Sequence, residues 1–297
     1  MKLFQRIAVA AATAASLAAP SAWAGLVNDV PSCYAAFHLT QPHAVPDKLV
    51  YVLLDQTVKL DPTLQRSVLD NVARMIQPGS KFVIAEFSAF SQDHYLQVLH
   101  TGIVENPLPA AAYDSLPITR APQIRGCFSG QLGFARKMAQ STVSQVMSTS
   151  SSSFDQSDIM AALQEVGPSL RQDPSHSKVL FMVTDGLENS SITSFYAHDA
   201  VRDVDPPKEL AKASAAHMFA DLGGAKVYML GCALMPPASR GTRAQRDGYR
   251  NPRVLQHLKG FWEGYFSASH ADLIEFGEPA LVEPVSYSST AKHKGGA

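Results

Sequence analysis

Two apolar runs of strand length, each ending at an aspartate, constrain the fold of this chain more than any other feature. The runs cover residues 49–54 and 179–183, and Asp55 and Asp185 follow them, the second after Thr184. An apolar run without polar alternation is typical of a strand buried on both faces, as in a parallel sheet covered by helices. Ligands of such sheets bind outside the carboxyl ends of the strands. Both aspartates are therefore predicted at the sheet edge that carries the site.

Strands and helices alternate along the chain. Further strands are predicted over residues 81–87, 95–104 and 226–231. Helices are predicted from Pro62 to before Pro78, and over 131–147, 158–170, 208–222 and 255–266, with loops at 105–125, 188–207 and 233–250. This alternation indicates βαβ units. We therefore expect an α/β, doubly wound, mostly parallel central sheet with helices on both faces, a three-layer sandwich in which strands 49–55, 179–184 and 226–231 are neighbours.

The N-terminus has the three parts of a secretory signal peptide. Lys2 and Arg6 form a basic start, residues 7–19 an apolar stretch, and residues 22–24 a small-x-small cleavage site. The expected organisation is a signal peptide (1–24), an N-terminal extension (25–46), one α/β domain (47–277) and a flexible C-terminal tail (278–297). No later run reaches the roughly 18 apolar residues of a membrane span. We expect a periplasmic or secreted protein.

Charge and cysteine content narrow the choice of partners and compartment. A formal net charge of −1 argues against a general nucleic-acid binder. Cys33 and Cys127 lie beside polar, turn-rich sequence, whereas Cys232 follows an apolar strand. Because export leads to an oxidising compartment, we predict a Cys33–Cys127 disulfide with Cys232 free. Two further free thiols remain the alternative.

Three segments then resemble the von Willebrand factor type A domain, over roughly residues 47 to 277. They are Asp55-x-Thr57-x-Lys59, Ser157-Asp158-Ile159 and Thr184-Asp185-Gly186, and a closing helix over 258–266 accompanies them. In that family, Asp-x-Ser-x-Ser, a threonine before a helix and an aspartate in a Thr-Asp-Gly-like turn form a metal-ion-dependent adhesion site. The resemblance implies Mg²⁺ held by oxygens of Asp55, Thr57, Ser157 and Asp185, with an open position for a partner's carboxylate.

Lys59 departs from the family pattern, because it stands where the second serine should be. An ammonium group has no lone pair for a cation. If Lys59 points inward, it neutralises the aspartates and replaces the metal. If it points outward, the site loses one oxygen, which water can replace. The alternative to a metal site is a pair of strand-end aspartates bonded to lysine and backbone amides.

Two loops are expected on the same face of the sheet as the aspartates. One contains Phe195 and Tyr196, and the other contains Arg240, Arg243 and Arg246. Aromatic residues and arginine are enriched in protein interfaces, so we expect these side chains to bind a partner. A solvated arginine loop is the alternative. The expected partner is a protein of the cell envelope or of a secretion- or conjugation-type assembly.

The sequence therefore predicts a non-catalytic protein-interaction module for adhesion or assembly. One alternative is a hydrolase of doubly wound fold that uses Asp55, although the second aspartate of an Asp-x-Asp phosphatase is missing. Another is a structural subunit of an envelope complex with a dead metal site. No P-loop, Gly-x-Gly-x-x-Gly or His-Glu-x-x-His pattern is present.

Overall fold

A six-stranded central sheet organises the computed structural model, which describes residues 28–41, 45–88, 96–151, 157–197, 200–235 and 251–288. The strands, numbered along the chain, are β1 (Lys48–Asp55), β2 (Ser80–Phe87), β3 (Leu96–Val104), β4 (Ser177–Val183), β5 (Tyr196–Ala197), β6 (Ala200–Val201), β7 (Ala225–Leu230) and β8 (Ala271–Phe276). The helices are α1 (Cys33–Ala36), α2 (Pro62–Met75), α3 (Ala110–Asp114), α4 (Arg120–Thr149), α5 (Ile159–Gln172), α6 (Pro206–Ala215) and α7 (Pro252–Ala268).

The strand order of the sheet is β3-β2-β1-β4-β7-β8. Every neighbouring pair is parallel except β2 and β3, which are antiparallel. The predicted inner strands β1, β4 and β7 are adjacent, which confirms the expected fold class. The chain order reverses between β1 and β4, and the crevice at such a switch point is where open α/β sheets bind ligands. Asp55 ends β1, so the fold places it at this crevice.

The sheet is buried on both faces, as its unbroken apolar strands predict. Alternate residues of β1 enter two cores: Leu49, Tyr51 and Leu53 face one, and Val50, Val52 and Leu54 face the other. Residues of α5 and α7 complete the first core, and residues of α2 and α4 complete the second. Each fully buried large apolar side chain stabilises the fold by about 1.5–3 kcal/mol.

Polar caps start the helices that flank the site. Asp61, Asp158, Asp205 and Asn251 each accept a hydrogen bond from the first turn of α2, α5, α6 and α7. Such a cap satisfies a backbone amide that has no partner within the helix. The predicted start of the second helix at Pro62 is thus confirmed together with its Asp61 cap.

Several predicted boundaries were wrong. Helix α4 begins at Arg120 instead of 131, and α3 lies within the predicted loop over 105–125. Helix α6 ends at Ala215 instead of 222, and His217 then adopts a positive φ of 56°, which interrupts helical geometry. The edge strand β8 was not predicted at all.

A disulfide joins α1 of the N-terminal extension to α4. Cys33 and Cys127 are bonded, with their Cα atoms 5.9 Å apart, as predicted. Tyr34 packs edge-on against Phe128 at 5.3 Å between ring centroids. Buried Glu105 accepts hydrogen bonds from the backbone amides of Cys33 and Tyr34 at 2.8 and 3.3 Å. Cys232 is a buried free thiol, also as predicted.

The segment after β8 differs from the expected flexible tail. Its described part contacts the domain through two buried side chains, Val285 and Tyr287. The Val285 amide donates to Asn71 Oδ1 at 2.9 Å, and the Tyr287 hydroxyl donates to the carbonyl of Met75 at 2.9 Å. Both partners lie on α2, so residues 285–287 cover one face of that helix. The sequence-based domain boundaries otherwise remain predictions, and the predicted signal peptide lies outside the described residues.

None of the helices in the described ranges has the length and apolar character needed to cross a membrane.

Candidate metal-ion site

Asp55 is the hydrogen-bonding centre of the site. Its Oδ1 accepts the backbone amide of Thr57 at 2.9 Å and the Thr57 hydroxyl at 2.6 Å. Its Oδ2 accepts the hydroxyls of Ser157 at 3.1 Å and Thr184 at 2.8 Å. Thr57 follows β1, Ser157 precedes α5, and Thr184 follows β4. The pairing of β1 with β4 therefore brings together residues that are distant in sequence. Asp55 and Thr184, for example, are separated by 129 positions.

Asp185 lies in a hydrogen-bonded turn next to this centre. Its Oδ1 accepts the amide of Leu187 at 2.8 Å, and its Oδ2 accepts the hydroxyl of Tyr196 at 2.7 Å. Gly186 has a φ of 68°, a conformation that favours glycine. The Trp262 indole donates to the Gly186 carbonyl at 2.8 Å. The turn is therefore fixed from the core side by α7.

Burial makes the two carboxylates electrostatically costly. Asp55 is 3% exposed and Asp185 4% exposed. Burial raises the pKa of Asp55, and the hydrogen bonds from Thr57, Thr184 and Ser157 oppose this effect. Burial, and secondly the charge on Asp55, raise the pKa of Asp185 to about 8. Charge in a low-dielectric interior needs a compensating partner.

The pKa values of Tyr196 and Glu188, which lie near the two aspartates, are also raised. Burial and the charge of Asp185 raise the pKa of Tyr196, so its hydroxyl stays protonated and acts as a donor. Burial, and then the charge on Asp158, raise the pKa of Glu188 well above its usual value. Glu188 Oε2 accepts the amide of Met160 at 3.0 Å, while its Oε1 has no hydrogen-bond partner. The sheet edge thus concentrates acidic groups.

Lys59 does not compensate this charge, because its side chain is exposed. Within the described ranges, no lysine, arginine or histidine side chain hydrogen-bonds to or forms an ion pair with Asp55 or Asp185. The outward orientation is the second of the two sequence-based alternatives. Lysine neutralisation therefore does not occur in this conformation.

The oxygens present suit a hard cation. Mg²⁺ prefers carboxylate and hydroxyl oxygens in octahedral geometry and retains several waters. Asp55, Thr57, Ser157 and Asp185, the predicted ligands, lie together with Thr184. Across the described part of the chain, no group of three or more His, Cys, Asp or Glu side chains forms a metal site, so the hydroxyls are essential to any site here.

Sequence reasoning missed the role of Thr184 and the contact of Tyr196 with Asp185. The signal for Thr184 was its place in the Thr-Asp-Gly turn, directly before Asp185. Tyr196 was predicted as a partner contact, which stays a prediction; the structure shows that its hydroxyl donates to Asp185. The distance along the chain between Tyr196 and the turn gave no sign of this contact.

The predicted partner-binding residues have different outcomes. Phe195 is fully buried and packs edge-on against Phe261 at 4.8 Å, so the prediction of an exposed contact residue was wrong. The loop that carries Phe195 folds back over α7. Arg240, Arg243 and Arg246 lie outside the described residues and remain predictions.

Fold and site together define a doubly wound α/β protein with a buried acidic site at the sheet's switch point. No protein-family model matches the chain, and no curated protein sequence matches it. Among solved structures, it resembles an aerotolerance-related membrane protein from Bacteroides fragilis NCTC 9343, crystallised with multiple mutations to serines. The identity is 12%, the alignment covers 78% of this chain and 92% of that one, and the TM-score is 0.32. A likeness at this level supports no conclusion about function.

Proposed function

We propose that this chain is an exported protein-interaction module of the von Willebrand factor A type that binds a partner at the carboxyl-terminal edge of its sheet through a divalent cation. One observation carries the proposal. Two buried carboxylates, Asp55 and Asp185, receive hydrogen bonds from four hydroxyls and contact no cationic side chain of the described chain. A bound divalent cation would offset the burial and, secondly, the repulsion from Asp55 that together raise the pKa of Asp185.

The residues divide the work in the following way. Asp55 and Asp185 supply the negative charge, and Thr57 and Ser157 supply hydroxyl oxygens. Thr184 bonds to Asp55 and holds that carboxylate in place. When bound, the cation would supply a position for a carboxylate oxygen of the partner protein, which is a hard ligand of the type Mg²⁺ accepts.

The disulfide between α1 and α4 supports export, because structural disulfides persist in oxidising compartments. It agrees with the sequence pattern of the first 24 residues. We therefore place the proposed partner in the periplasm, the envelope or outside the cell, as part of an envelope or secretion-type assembly.

The hydrolase alternative is disfavoured by the environment of Asp55. A nucleophilic carboxylate needs an oxygen accessible to substrate. Asp55 is buried, and both of its oxygens accept two hydrogen bonds each. A phosphatase and esterase panel tests this directly, and Asp55-dependent turnover would overturn the proposal.

The metal is tested by calorimetric titration with Mg²⁺ and Mn²⁺. We expect binding roughly in the micromolar to millimolar range, as for cation sites with few protein ligands. Asp185→Asn should weaken it at least about tenfold, because it removes one of two charges that face the cation. Asp114→Asn, which alters an exposed carboxylate of α3, is the matched control and should bind like the native protein.

The partner is tested by a pull-down from envelope extracts, run with Mg²⁺ and with chelator. A partner captured only with Mg²⁺, and lost in Asp185→Asn, supports the proposed mode. A partner captured equally in chelator would instead support the structural subunit with a dead site.

A further inference from the structure

Tyr196 contacts the acidic pair Asp55 and Asp185, and the resemblance to the von Willebrand factor type A domain does not account for this contact. Its hydroxyl donates to Asp185 Oδ2 at 2.7 Å. The other oxygen of Asp185 already accepts the Leu187 amide. Asp55 is likewise saturated by Thr57, Ser157 and Thr184. Tyr196 therefore completes a closed set of hydrogen bonds in which no carboxylate oxygen is left without a donor.

Anchors on both sides of Tyr196 hold it in this place. Phe195 is fully buried against Phe261, and its amide donates to the Glu188 carbonyl at 2.7 Å. Beyond β6, the Arg202 amide donates to the Phe195 carbonyl at 2.8 Å, and its guanidinium donates to the Ser194 carbonyl at 2.8 Å. The Tyr196 ring is therefore positioned by a fixed backbone.

A buried glutamate on α6 secures this arrangement. Glu209 is 2% exposed and accepts the guanidinium of Arg202 at 2.7 Å and the hydroxyl of Thr193 at 2.7 Å. Lys212 adds an ion pair at 3.0 Å. The Glu209 carboxylate therefore binds three donors, and two of them, Thr193 and Arg202, belong to the segment that carries Tyr196. These hydrogen bonds connect that segment to α6. Moving the phenol away from Asp185 thus works against a network outside the site itself.

We propose that Tyr196 is an internal competitor of the cation, because its hydroxyl holds the Asp185 oxygen that a cation at this site must use. This inference rests on the proposed function and adds to it the residue that sets the affinity of the site. For a cation to use this oxygen, the Tyr196 hydroxyl would have to give up its hydrogen bond to Asp185. The affinity of the native protein is accordingly lower than its oxygen set alone allows, and loss of the hydroxyl raises it.

The test compares native protein with Tyr196→Phe, which keeps the ring and removes the donor. Mg²⁺ and Mn²⁺ are titrated into each protein by calorimetry. We expect the variant to bind roughly tenfold more tightly, since in native protein the hydrogen bond from the phenol to Asp185 must first be broken. Tyr113→Phe is the matched control, because Tyr113 belongs to the separate cluster around α1, α3 and α4, and it should bind like native protein.

A second readout comes from Trp262, whose indole bonds to the carbonyl of Gly186 beside Asp185. The other tryptophan of the sequence, Trp23, belongs to the expected signal peptide, so Trp262 is the one tryptophan of the expected mature chain. Its emission during the Mg²⁺ titration should give the same order of affinities as calorimetry. The far-ultraviolet circular dichroism of Tyr196→Phe should match that of native protein, which excludes unfolding as the cause of any change in affinity.

The outcomes separate this inference from the proposed function. Tighter binding by Tyr196→Phe, or binding by that variant alone, supports the competitor role. Native protein that binds the cation as tightly as Tyr196→Phe, or more tightly, overturns the competitor role and leaves the proposed function standing. Absence of binding in both proteins overturns both.

Discussion

Individual side chains decide how Asp55 and Asp185 are compensated. Lys59 is the departure from the family pattern, yet its side chain is exposed. Four hydroxyls, those of Thr57, Ser157, Thr184 and Tyr196, donate to the carboxylates instead. A hydroxyl is both donor and acceptor, so Thr57 and Ser157 can turn a lone pair towards a cation, whereas an ammonium cannot. Hydroxyl groups therefore determine the chemistry of the site. Lys59 affects the site because it lacks the hydroxyl oxygen that a serine would supply at this position.

Two substitutions of Lys59 separate its charge from the missing oxygen. Lys59→Gln removes the charge without adding a hydroxyl, and we expect Mg²⁺ affinity to change by no more than about twofold at physiological salt, because exposed charges are screened. Lys59→Ser should raise the Mg²⁺ affinity above that of Lys59→Gln, because serine supplies the hydroxyl that the Asp-x-Ser-x-Ser pattern has at this position. Asp185→Asn in that background should abolish the gain. Calorimetry measures all three.

Equal affinities for native protein and Lys59→Ser would show that position 59 does not face the site, and that water or other groups complete it. A larger effect of Lys59→Gln than of Lys59→Ser would show instead that the ammonium charge reaches the carboxylates despite its exposure.

The helices and strands show which features a single sequence can reveal. Strands β1, β4 and β7 and helix α2 were predicted because their apolar pattern is locally complete. Helix α4 was predicted too short, since its first eleven residues include Pro122, Gly126 and Gly130, all poor helix formers. The disulfide and the packing of Tyr34 on Phe128 stabilise that end from outside. Strand β8 lies next to β7 at the edge of the described sheet, and only its end residues Ala271 and Phe276 are buried, so its sequence has no continuous apolar run.

The same reasoning explains the partial prediction of the site. Asp55 and Asp185 follow apolar runs, so their position at the strand ends could be inferred from sequence. Tyr196 reaches Asp185 because Phe195 and Arg202 fix its backbone through tertiary contacts. No local pattern encodes contacts of this kind, and therefore only the structure reveals them.

The link between α1 and α4 makes a prediction about stability. The Cys33–Cys127 bond closes a loop with a sequence separation of 94 residues. In the chain-entropy model, a loop of this length stabilises the folded state by about 4.7 kcal/mol. The double variant Cys33→Ser, Cys127→Ser should lose stability of this order in urea denaturation. Cys232→Ala, which alters the free thiol, is the comparison.

Peptide mapping under non-reducing conditions checks the bond itself. We expect one linked pair containing Cys33 and Cys127, and alkylation of Cys232 only after denaturation, because that thiol is buried. Three thiols that all react in protein purified from the oxidising compartment would contradict the assignment.

At the scale of the whole molecule, three buried acidic side chains lie just beyond the carboxyl ends of β1 and β4. Asp55, Asp185 and Glu188 are all buried, and burial raises the pKa of each. The strands that precede these residues, β1 and β4, are covered by apolar side chains on both faces, so water cannot reach the carboxyl groups through the sheet. The apolar core stabilises the fold, and the acidic edge opposes it unless protons or a cation bind. The site is thus coupled to global stability.

This coupling predicts how stability depends on pH in chelator. The pKa of Asp185 rises from its usual 3.8 to about 8 on folding, so between these values the folded state binds more protons than the unfolded state. The stability that this carboxyl contributes is therefore fully present below pH 4 and is lost as the pH rises towards 8; Glu188 acts in the same direction. We expect the free energy of unfolding, measured with urea, to fall by a few kcal/mol from pH 5 to pH 8.

Variants of two carboxylates test the origin of this dependence. Asp185→Asn should make the free energy of unfolding depend less on pH, and the control Asp114→Asn should keep the native dependence. Millimolar Mg²⁺ should restore stability at pH 8 in native protein but not in Asp185→Asn. A native protein equally stable at both pH values in chelator would show that Asp185 ionises without penalty and that the acidic edge does not oppose folding.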